Sequence, residues 1–299
     1  MKLFTGVNMS IVGGDARQLE VIHQCAEMDA TVSLMGFDLW QSEISGVHKK
    51  PFLPDHLRDA DVLILPIVGT DEQGRIESLF SHEELVMTRE HLDALPKGAV
   101  VYTGMARTFL RKLCEEAGVP LVALLDRDDV AIYNSIPTVE GSLMLAIQNT
   151  DFTIHGSECI VLGFGRTGMT LARVLQALGA KVKVGVHRDA HAARAYEMGL
   201  APFSTAQLEQ HVAHVDILFN TVPKPIVTAP VIANMPSQAL ILDLASKPGG
   251  TDFRFAEKRG IRAILAPSLP GLVAPKTAGR IFAGTLFQLV REQIGNREG

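Results

Sequence analysis

A glycine-rich junction between a strand and a helix constrains this chain more than any other stretch. The segment Cys159-Ile-Val-Leu-Gly163-Phe-Gly165-Arg-Thr-Gly168 leads from a short apolar strand into a G-x-G-x-x-G pattern. An amphipathic helix follows, with Gly179 as its C-terminal stop, and a second strand over 181–186 completes a βαβ unit. In that context the glycines predict a dinucleotide site rather than a purely structural turn. The unpaired N–H groups at the helix N-terminus bind the pyrophosphate.

The predicted cofactor contacts lie in this turn and at the ends of neighbouring strands, because doubly wound sheets bind ligands at the carboxyl ends of their strands. They are Gly163, Gly165, Arg166, Thr167, Gly168, His187, Arg188, Thr221, Val222, Pro223, Asp243 and Ala245.

The end of the second strand of the βαβ unit indicates which dinucleotide is bound. In an NAD site an acidic residue about 20 residues after the first glycine holds the ribose 2′-hydroxyl. Val186 stands at that position, and His187 and Arg188 follow it. Cations without a carboxylate suit a 2′-phosphate, so the sequence favours NADP. The alternative is that Arg188 is a solvated surface residue and Asp189 binds the ribose.

Composition limits the class of protein. The 299 residues are 47% hydrophobic and 20% charged, which is typical of a globular chain with a sizeable core. With a net charge of −5, no apolar run of about 18 residues and no signal-peptide pattern, we expect a cytoplasmic protein that binds neither nucleic acid nor membrane. The cysteines and histidines lack metal-ligand spacing, so no metal site is predicted.

Strands alternate with helices along two runs, which predicts an α/β protein with two doubly wound parallel sheets. We expect a flavodoxin-like substrate domain over residues 1–135 and a Rossmann NADP-binding domain over 136–275, with a cleft between them. The C-terminal helix, 276–299, is expected to pack back on the first domain. Pro137 predicts the start of a connecting helix, and the proline- and glycine-rich segment 267–279 predicts a rigid turn.

Another strand-to-helix junction, Gly13-Gly-Asp-Ala-Arg-Gln18, predicts a small-anion site. Helix N–H groups at Gly14 and Asp15, together with the Arg17 guanidinium, suit a substrate carboxylate. The alternative is that Asp15 caps the helix and pairs with Arg17, and the two interpretations can hold together. Arg107, which follows a later strand, suits a carboxylate in the same way or is simply solvated.

The two-lobed layout resembles the D-2-hydroxyacid dehydrogenases, which use a histidine near the position of Pro270 to move the hydroxyl proton. No histidine follows His214 in this chain. Oxidation of a hydroxyl group therefore lacks its usual base, and a different reaction is expected.

Seven strings resemble the family formed by the A subunit of dipicolinate synthase, and together they extend over nearly the whole chain. They are Gly13-Gly-Asp-Ala-Arg-Gln18, Arg127-Asp-Asp129, Tyr133-Asn-Ser-Ile-Pro-Thr-Val-Glu-Gly141, Phe152-Thr-Ile-His-Gly156, Gly165-Arg-Thr-Gly-Met-Thr170, Asp243-Leu-Ala-Ser246 and Ala274-Pro-Lys-Thr-Ala-Gly279.

This resemblance implies an NADP-dependent oxidoreductase on a branch of the lysine pathway that makes dipicolinate during sporulation. The substrate would be dihydrodipicolinate, formed from 4-hydroxy-tetrahydrodipicolinate, and the partner would be the flavoprotein-like B subunit of dipicolinate synthase. For a dianionic substrate we expect Arg17 with Gly14 and Asp15 at one carboxylate. Lys276 would bind the other with Asn134, Ser135 and Thr138.

Glu140 is the candidate acid or base, with helix capping as its alternative. Another NADP-dependent dehydrogenase or imine reductase, or a non-catalytic NADP-binding partner of the synthase, stays open, as does a homo-oligomer.

Overall fold

The computed structural model describes residues 3–295. The chain divides into two compact units. One comprises the residues up to Ala131 and those from Ala274 onward, and the other comprises Ile132–Val273. The predicted boundaries, after residues 135 and 275, lie slightly further along the chain. Each unit is built on a parallel six-stranded sheet, which confirms the predicted fold class.

Eight described strands belong to the first unit. They are β1 Asn8–Val12, β2 Thr31–Met35, β3 Val47–Lys49, β4 Val62–Ile64, β5 Arg75–Ile76, β6 Leu85–Val86, β7 Val100–Thr103 and β8 Leu121–Ala123. The sheet has the order β3-β2-β1-β4-β7-β8, and β5 and β6 form a separate antiparallel pair. Numbered along the chain without the β5–β6 pair, its six strands follow the order 3-2-1-4-5-6; without the short edge strand β3, the remaining five follow the flavodoxin-like order 2-1-3-4-5.

Six described strands belong to the second unit. They are β9 Glu158–Leu162, β10 Lys181–Val186, β11 Ala201–Ser204, β12 Ile217–Asn220, β13 Leu240–Asp243 and β14 Arg262–Leu265. Their order, β11-β10-β9-β12-β13-β14, is the 3-2-1-4-5-6 order of the Rossmann fold. The edge strand β11 was not predicted, because Pro202 interrupts its pattern.

The described helices complete both units. They are α1 Ala16–Glu27, α2 Arg89–Asp93, α3 Thr108–Ala117, α4 Asp128–Asn149, α5 Arg166–Ala177, α6 Asp189–Glu197, α7 Leu208–His211, α8 Ala229–Ala233, α9 Phe253–Arg259, α10 Leu269–Val273 and α11 Pro275–Gly295. Short 3-10 turns cover Pro54–Leu57, Leu124–Asp126 and Thr205–Gln207.

Both sheets are covered on their two faces, as their apolar strands require. In β1, Met9, Ile11 and Val12 are at most 1% exposed. The C-terminal helix α11 belongs to the first unit and packs on α1. A Cβ atom added to Gly279 would lie 2.5 Å from the Arg17 carbonyl oxygen, so this glycine permits the close contact between the two helices.

Helix α4 differs from its prediction. It begins at Asp128, so Pro137 lies inside the helix and not at its start. Glu140 is therefore mid-helix, and the interpretation of Glu140 as a capping residue is wrong. By length and composition α4 is the one helix of residues 3–295 that is apolar enough to cross a membrane, a test that core helices of soluble proteins also pass.

The segment 267–279 also differs from its prediction as a rigid turn. Most of it is helical, since it contains α10 and the first residues of α11. Proline and glycine near helix starts are compatible with helical backbone, because the first turn needs no N–H donor.

Candidate functional site

The junction of β9 and α5 requires glycine at two positions, one in the loop and one in the first turn of the helix, because the backbone approaches other atoms closely. Gly163 has φ +90°, and a Cβ atom there would lie 2.4 Å from Thr221 Oγ1. A Cβ atom on Gly168 would lie 2.1 Å from the Gly163 carbonyl oxygen. These contacts bring the start of α5 against the carboxyl end of β9, as the fingerprint requires.

Gly165, unlike Gly163 and Gly168, has open space beside its backbone. It is the N-cap of α5, with φ −86°, and no atom of the described chain lies within 4 Å of a Cβ atom placed there. No side chain of the described residues caps this helix end. The N-terminus of α5 therefore combines uncapped N–H groups, the positive end of the helix dipole and open space beside the backbone. A pyrophosphate fits these features.

The carboxyl end of β12 forms the other side of the same crevice. Strand order changes direction between β9 and β12, which is where such sheets bind nucleotides. Thr221 Oγ1 donates to the Leu162 carbonyl at 2.7 Å, and the backbone N–H of Val222 donates to Asn220 Oδ1 at 3.0 Å. Thr221 and Val222 are half-buried here, and Pro223 is exposed.

Asp243 organises the loops at this edge of the sheet. Its carboxylate is fully buried, and four donors bind it. They are Asn220 Nδ2 at 3.0 Å, Ala245 N at 3.1 Å, Gly250 N at 2.8 Å and Thr251 Oγ1 at 2.6 Å. Asn220 and Asp243 are register partners on adjacent strands. Asp243 and Ala245 are both buried, and the Asp243 carboxylate holds the surrounding loops in place; their predicted contact with the cofactor stays a prediction.

At the ribose end of the predicted site, Val186 is buried at the end of β10. His187 and Arg188 follow it and are exposed, and Asp189 is also exposed at the start of α6. Arg194 pairs with Glu197 at 2.9 Å. Both interpretations of the sequence, a phosphate on Arg188 and a ribose on Asp189, are compatible with this geometry.

The junction before α1 in the first unit has its own internal anion. Asp15 is the N-cap and accepts from the backbone N–H of Arg17 at 3.0 Å. The Arg17 guanidinium donates to the same carboxylate, from Nε at 2.9 Å and from Nη2 at 2.6 Å. The Arg17 side chain is 4% exposed. This is the capping interpretation of the sequence: Asp15 occupies Nε and Nη2 of the Arg17 guanidinium, and a direct substrate contact of Arg17 stays a prediction.

Two effects compete at the Asp15 carboxyl. Burial alone would raise its pKa, but the hydrogen bonds and the charge of Arg17 outweigh burial and hold the pKa of Asp15 below its ordinary value. The carboxylate is therefore ionised at neutral pH and occupies the place that an external anion would take.

Gly14 and Gln18 close this junction further. Gly14 has φ +112°, and a Cβ atom there would lie 2.3 Å from Gln18 Cγ. Gln18 is 1% exposed, and its Nε2 donates to the Leu65 carbonyl at 3.4 Å. Its Oε1 has no partner among residues 3–295. Gln18 was not among the predicted site residues, although a polar residue on the buried face of α1 would have indicated a contact there.

The predicted residues on α4 differ in accessibility. Ser135 is buried, and its hydroxyl binds the Ile132 carbonyl at 2.6 Å and Thr170 Oγ1 on α5 at 2.8 Å. Ser135 thus links α4 to α5, and its role as a substrate contact stays a prediction. Thr138 Oγ1 donates to the Asn134 carbonyl at 2.8 Å, and Glu140 is exposed.

Lys276 belongs to the first unit, whereas the α4 residues with which it was predicted to act belong to the second. It is exposed near the start of α11, beside Glu20. Burial would raise the pKa of Glu20, but hydrogen bonds from Arg280 and Gln24 and the charges of Arg280 and Lys276 lower it. The joint anchor of Lys276 with Asn134 and Thr138 stays a prediction.

Histidines, cysteines and carboxylates elsewhere in the described residues form no metal site, and the cysteines are unreactive. Within residues 3–295, no group of three or more histidines, cysteines or carboxylates is placed to hold a metal ion. The three cysteines are buried, and burial raises the pKa of Cys114 and of Cys159 to about 11 and raises that of Cys25 further. Such thiols are poor nucleophiles.

Comparisons with known proteins match both units. The family model for the N-terminal domain of the dipicolinate synthase A subunit matches residues 8–125, and that for the S-adenosyl-L-homocysteine hydrolase NAD binding domain matches residues 135–261. The dipicolinate synthase A subunit of Bacillus subtilis (strain 168) is 50% identical over 290 residues, which cover 97% of this chain and 98% of that protein.

Solved structures agree with these matches. The crystal structure of the dipicolinate synthase A subunit from Bacillus halodurans has a TM-score of 0.92 at 50% identity and covers 97% of this chain and 100% of that one. Its counterpart from Bacillus subtilis has a TM-score of 0.91 at 49% identity, with 99% of each chain covered. A transhydrogenase from Sinorhizobium meliloti, at 15% identity and a TM-score of 0.67, covers 96% of this chain and 94% of that one and shares the fold alone.

Proposed function

Because this chain belongs to the dipicolinate synthase A-subunit family, we propose that it is an NADP-dependent dehydrogenase that oxidises dihydrodipicolinate to dipicolinate. The observation that carries the proposal is the uncapped N-terminus of α5 beside Gly165, with Gly163 and Gly168 closely packed beneath it. A match to an NAD-binding family model over the same part of the chain supports a nicotinamide dinucleotide.

Cofactor binding is assigned to residues of the second unit. The first turn of α5, which contains Arg166 and Thr167, would hold the pyrophosphate, and His187 with Arg188 would hold a 2′-phosphate. The Asp243 hydrogen bonds fix the loops that follow β12 and β13. When bound, the nicotinamide supplies a hydride acceptor.

The substrate chemistry balances without a strong base. Loss of water from 4-hydroxy-tetrahydrodipicolinate gives dihydrodipicolinate. Removal of one hydride and one proton from that ring then gives the aromatic pyridine dicarboxylate. Aromatisation supplies much of the driving force, so the chain's main task is to orient a dianion. Lys276, Asn134 and Thr138 are the proposed anchors on the sequence argument, and a Glu140 carboxylate oxygen is the proposed acceptor of the proton.

The family name also implies assembly with another protein chain. We propose a complex with the flavoprotein-like B subunit of the synthase, in the cytoplasm of a sporulating cell. That partner would complete the synthase, while the dinucleotide site lies within this chain.

The decisive experiment follows the absorbance of reduced nicotinamide when the purified chain meets freshly generated 4-hydroxy-tetrahydrodipicolinate. NADP⁺ and NAD⁺ are run in parallel, each with and without the B subunit, and dipicolinate is quantified at the end. The proposal expects reduced cofactor and dipicolinate in equal amounts with this chain and NADP⁺ alone.

Other outcomes distinguish the remaining functions. Turnover only with the B subunit, while this chain binds NADP⁺ unaided, would favour a non-catalytic binding role for this chain. Turnover of other small imino or amino acids in preference to this substrate would favour a different reductase activity. No dipicolinate under any condition would overturn the proposal.

A further inference from the structure

The loop of residues 65–70 follows β4 at the edge of the first sheet where strand order changes direction, between β1 and β4. Side chains hold it at both ends. Gln18 Nε2 donates to the Leu65 carbonyl at 3.4 Å, and Arg107 Nη1 donates to the Thr70 carbonyl at 3.1 Å. Ligands of doubly wound sheets bind at this edge. A side chain here that keeps hydrogen-bond donors available is therefore a candidate ligand contact.

Close backbone contacts interlock this loop with the one that follows β7. Thr103 Oγ1 donates to the Pro66 carbonyl at 2.7 Å. A Cβ atom on Gly69 would lie 2.3 Å from the Met105 carbonyl oxygen, and one on Gly104 would lie 2.4 Å from the Ile67 carbonyl oxygen. The two loops therefore form a rigid base for Arg107, which follows the second loop directly.

Arg107 forms no ion pair with a carboxylate among residues 3–295, and the carboxylate of Glu72 accepts instead from the Phe109 backbone N–H at the start of α3. It is exposed at the N-cap of α3, and its guanidinium donates to the neutral Thr70 carbonyl. Arg111, on the next turn of the same helix, pairs with Asp126 at 2.6 Å. Arg17, at the neighbouring junction, pairs with Asp15.

We infer that Arg107, and not Arg17, is the residue of the first unit that binds a substrate carboxylate. This inference rests on the proposed function, which requires a dianion. One Arg107 nitrogen is fixed to the Thr70 carbonyl, and the remaining guanidinium N–H groups can donate to a carboxylate. Glu72 Oε2 already accepts from the Phe109 N–H in the first turn of α3 at 3.3 Å, so the guanidinium itself, and not the helix dipole, supplies the attraction.

The test couples a change in the protein to a change in the ligand. Dissociation constants for pyridine-2,6-dicarboxylate and pyridine-2-carboxylate are measured by calorimetry with the whole chain, its Arg107→Ala and Arg107→Lys variants, and Lys112→Ala as a control. Lys112 lies on the same helix and pairs with Glu116. Its substitution by alanine deletes one positive charge, as Arg107→Ala does.

We expect the wild type and Lys112→Ala to prefer the dicarboxylate by the same factor. In Arg107→Ala that preference should fall about tenfold or more, because the second carboxylate has lost its partner. Arg107→Lys should lie between, since an ammonium keeps the charge without the planar fork. NADP⁺ affinity should be unchanged in all variants.

An unchanged preference in Arg107→Ala would overturn the inference. If that variant also kept the wild-type KM while producing dipicolinate, the proposed function would stand without it. A wild-type chain that bound neither acid and made no dipicolinate would overturn both.

Discussion

The two units place a helix at the same point of sheets with the same strand order, yet only one of the two helix N-termini is open. At α5 the N-cap is Gly165, which has empty space beside it. At α1 the N-cap is Asp15, whose carboxylate binds the first turn and the buried Arg17. A strand-to-helix junction therefore becomes a dinucleotide site only where the chain itself does not supply the anion.

The glycines show the same contrast. Gly163 makes room for the Thr221 hydroxyl, Gly168 brings the start of α5 against the Gly163 carbonyl, and both leave the helix end accessible. Gly14 instead admits the Gln18 side chain, which fills the corresponding position in the first unit. Two glycines at a strand-to-helix junction therefore do not by themselves indicate a nucleotide site. The group that occupies the space beside each glycine distinguishes the two junctions.

Opening the α1 junction should have the largest effect. Asp15→Ala removes the helix cap and leaves the buried Arg17 guanidinium unpaired, so we expect the free energy of unfolding to fall by about 3 kcal/mol. Urea denaturation measures this loss. NADP⁺ affinity, measured by calorimetry on the folded variant, should not change.

Asp15→Asn is the matched control, because asparagine caps helices as well as aspartate but carries no charge. It should lose only the ion-pair part, about 2 kcal/mol. If neither variant were destabilised, Asp15 would not be the internal anion of this junction, and the comparison between the units would fail.

Filling the α5 junction should affect binding and not folding. In Gly165→Ala the new methyl group meets no protein atom, so the unfolding midpoint should be retained. The methyl group occupies space that the pyrophosphate needs, so the dissociation constant for NADP⁺ should rise about 10- to 100-fold. Fluorescence titration with the reduced cofactor measures it.

Gly284→Ala provides the control for this substitution. Gly284 lies in α11, where an added Cβ atom also meets nothing within 4 Å. Alanine there should stabilise the helix by about 0.5–1 kcal/mol and leave cofactor affinity unchanged. Equal cofactor affinity in Gly165→Ala and the wild type would show that the pyrophosphate does not approach the N-terminus of α5.

Much of the fold was predictable because its signals are local. Long apolar strands and amphipathic helices gave the alternation of both units, and the glycine fingerprint located the β9–α5–β10 unit. The edge strands β3 and β11 were missed because they are short and polar or contain proline. The start of α4 was misplaced at Pro137, although Asp128 and Asp129 supply the acidic first turn that marks helix starts.

The candidate site was less predictable, since side-chain roles depend on burial. The sequence offered both Asp15 and a substrate carboxylate as partners of Arg17, and only the structure shows the Asp15 ion pair and the low exposed fraction of the Arg17 side chain. The link between Asn220 and Asp243 was accessible in principle, because polar residues that end adjacent parallel strands lie side by side. The hydroxyl pair of Ser135 and Thr170 had no comparable signal.

The selectivity of the second unit between NADP⁺ and NAD⁺ can be tested at the end of β10. Arg188→Ala should weaken NADP⁺ binding about tenfold and leave NAD⁺ binding nearly unchanged, since one charge-assisted contact with an exposed 2′-phosphate is lost. Arg194→Ala serves as the control because Arg194 already pairs with Glu197. A fall in NAD⁺ affinity in Asp189→Asn, with none for NADP⁺ in Arg188→Ala, would instead assign the ribose to Asp189.

The smallest expected effect is the acid dependence of the α1 junction. The Asp15 carboxyl has a lowered pKa in the folded chain, so its contribution to stability is complete above the pKa of the unfolded chain, about 3.9, and is lost as the pH falls through the lower folded value. The difference in unfolding free energy between the wild type and Asp15→Asn should therefore be constant from about pH 5 to pH 8 and shrink below about pH 4. Urea denaturation across this range measures it. A difference in unfolding free energy that changed near pH 6 would point to the titration of a histidine. The pH dependence of this helix end would then not come from the Asp15 carboxyl alone.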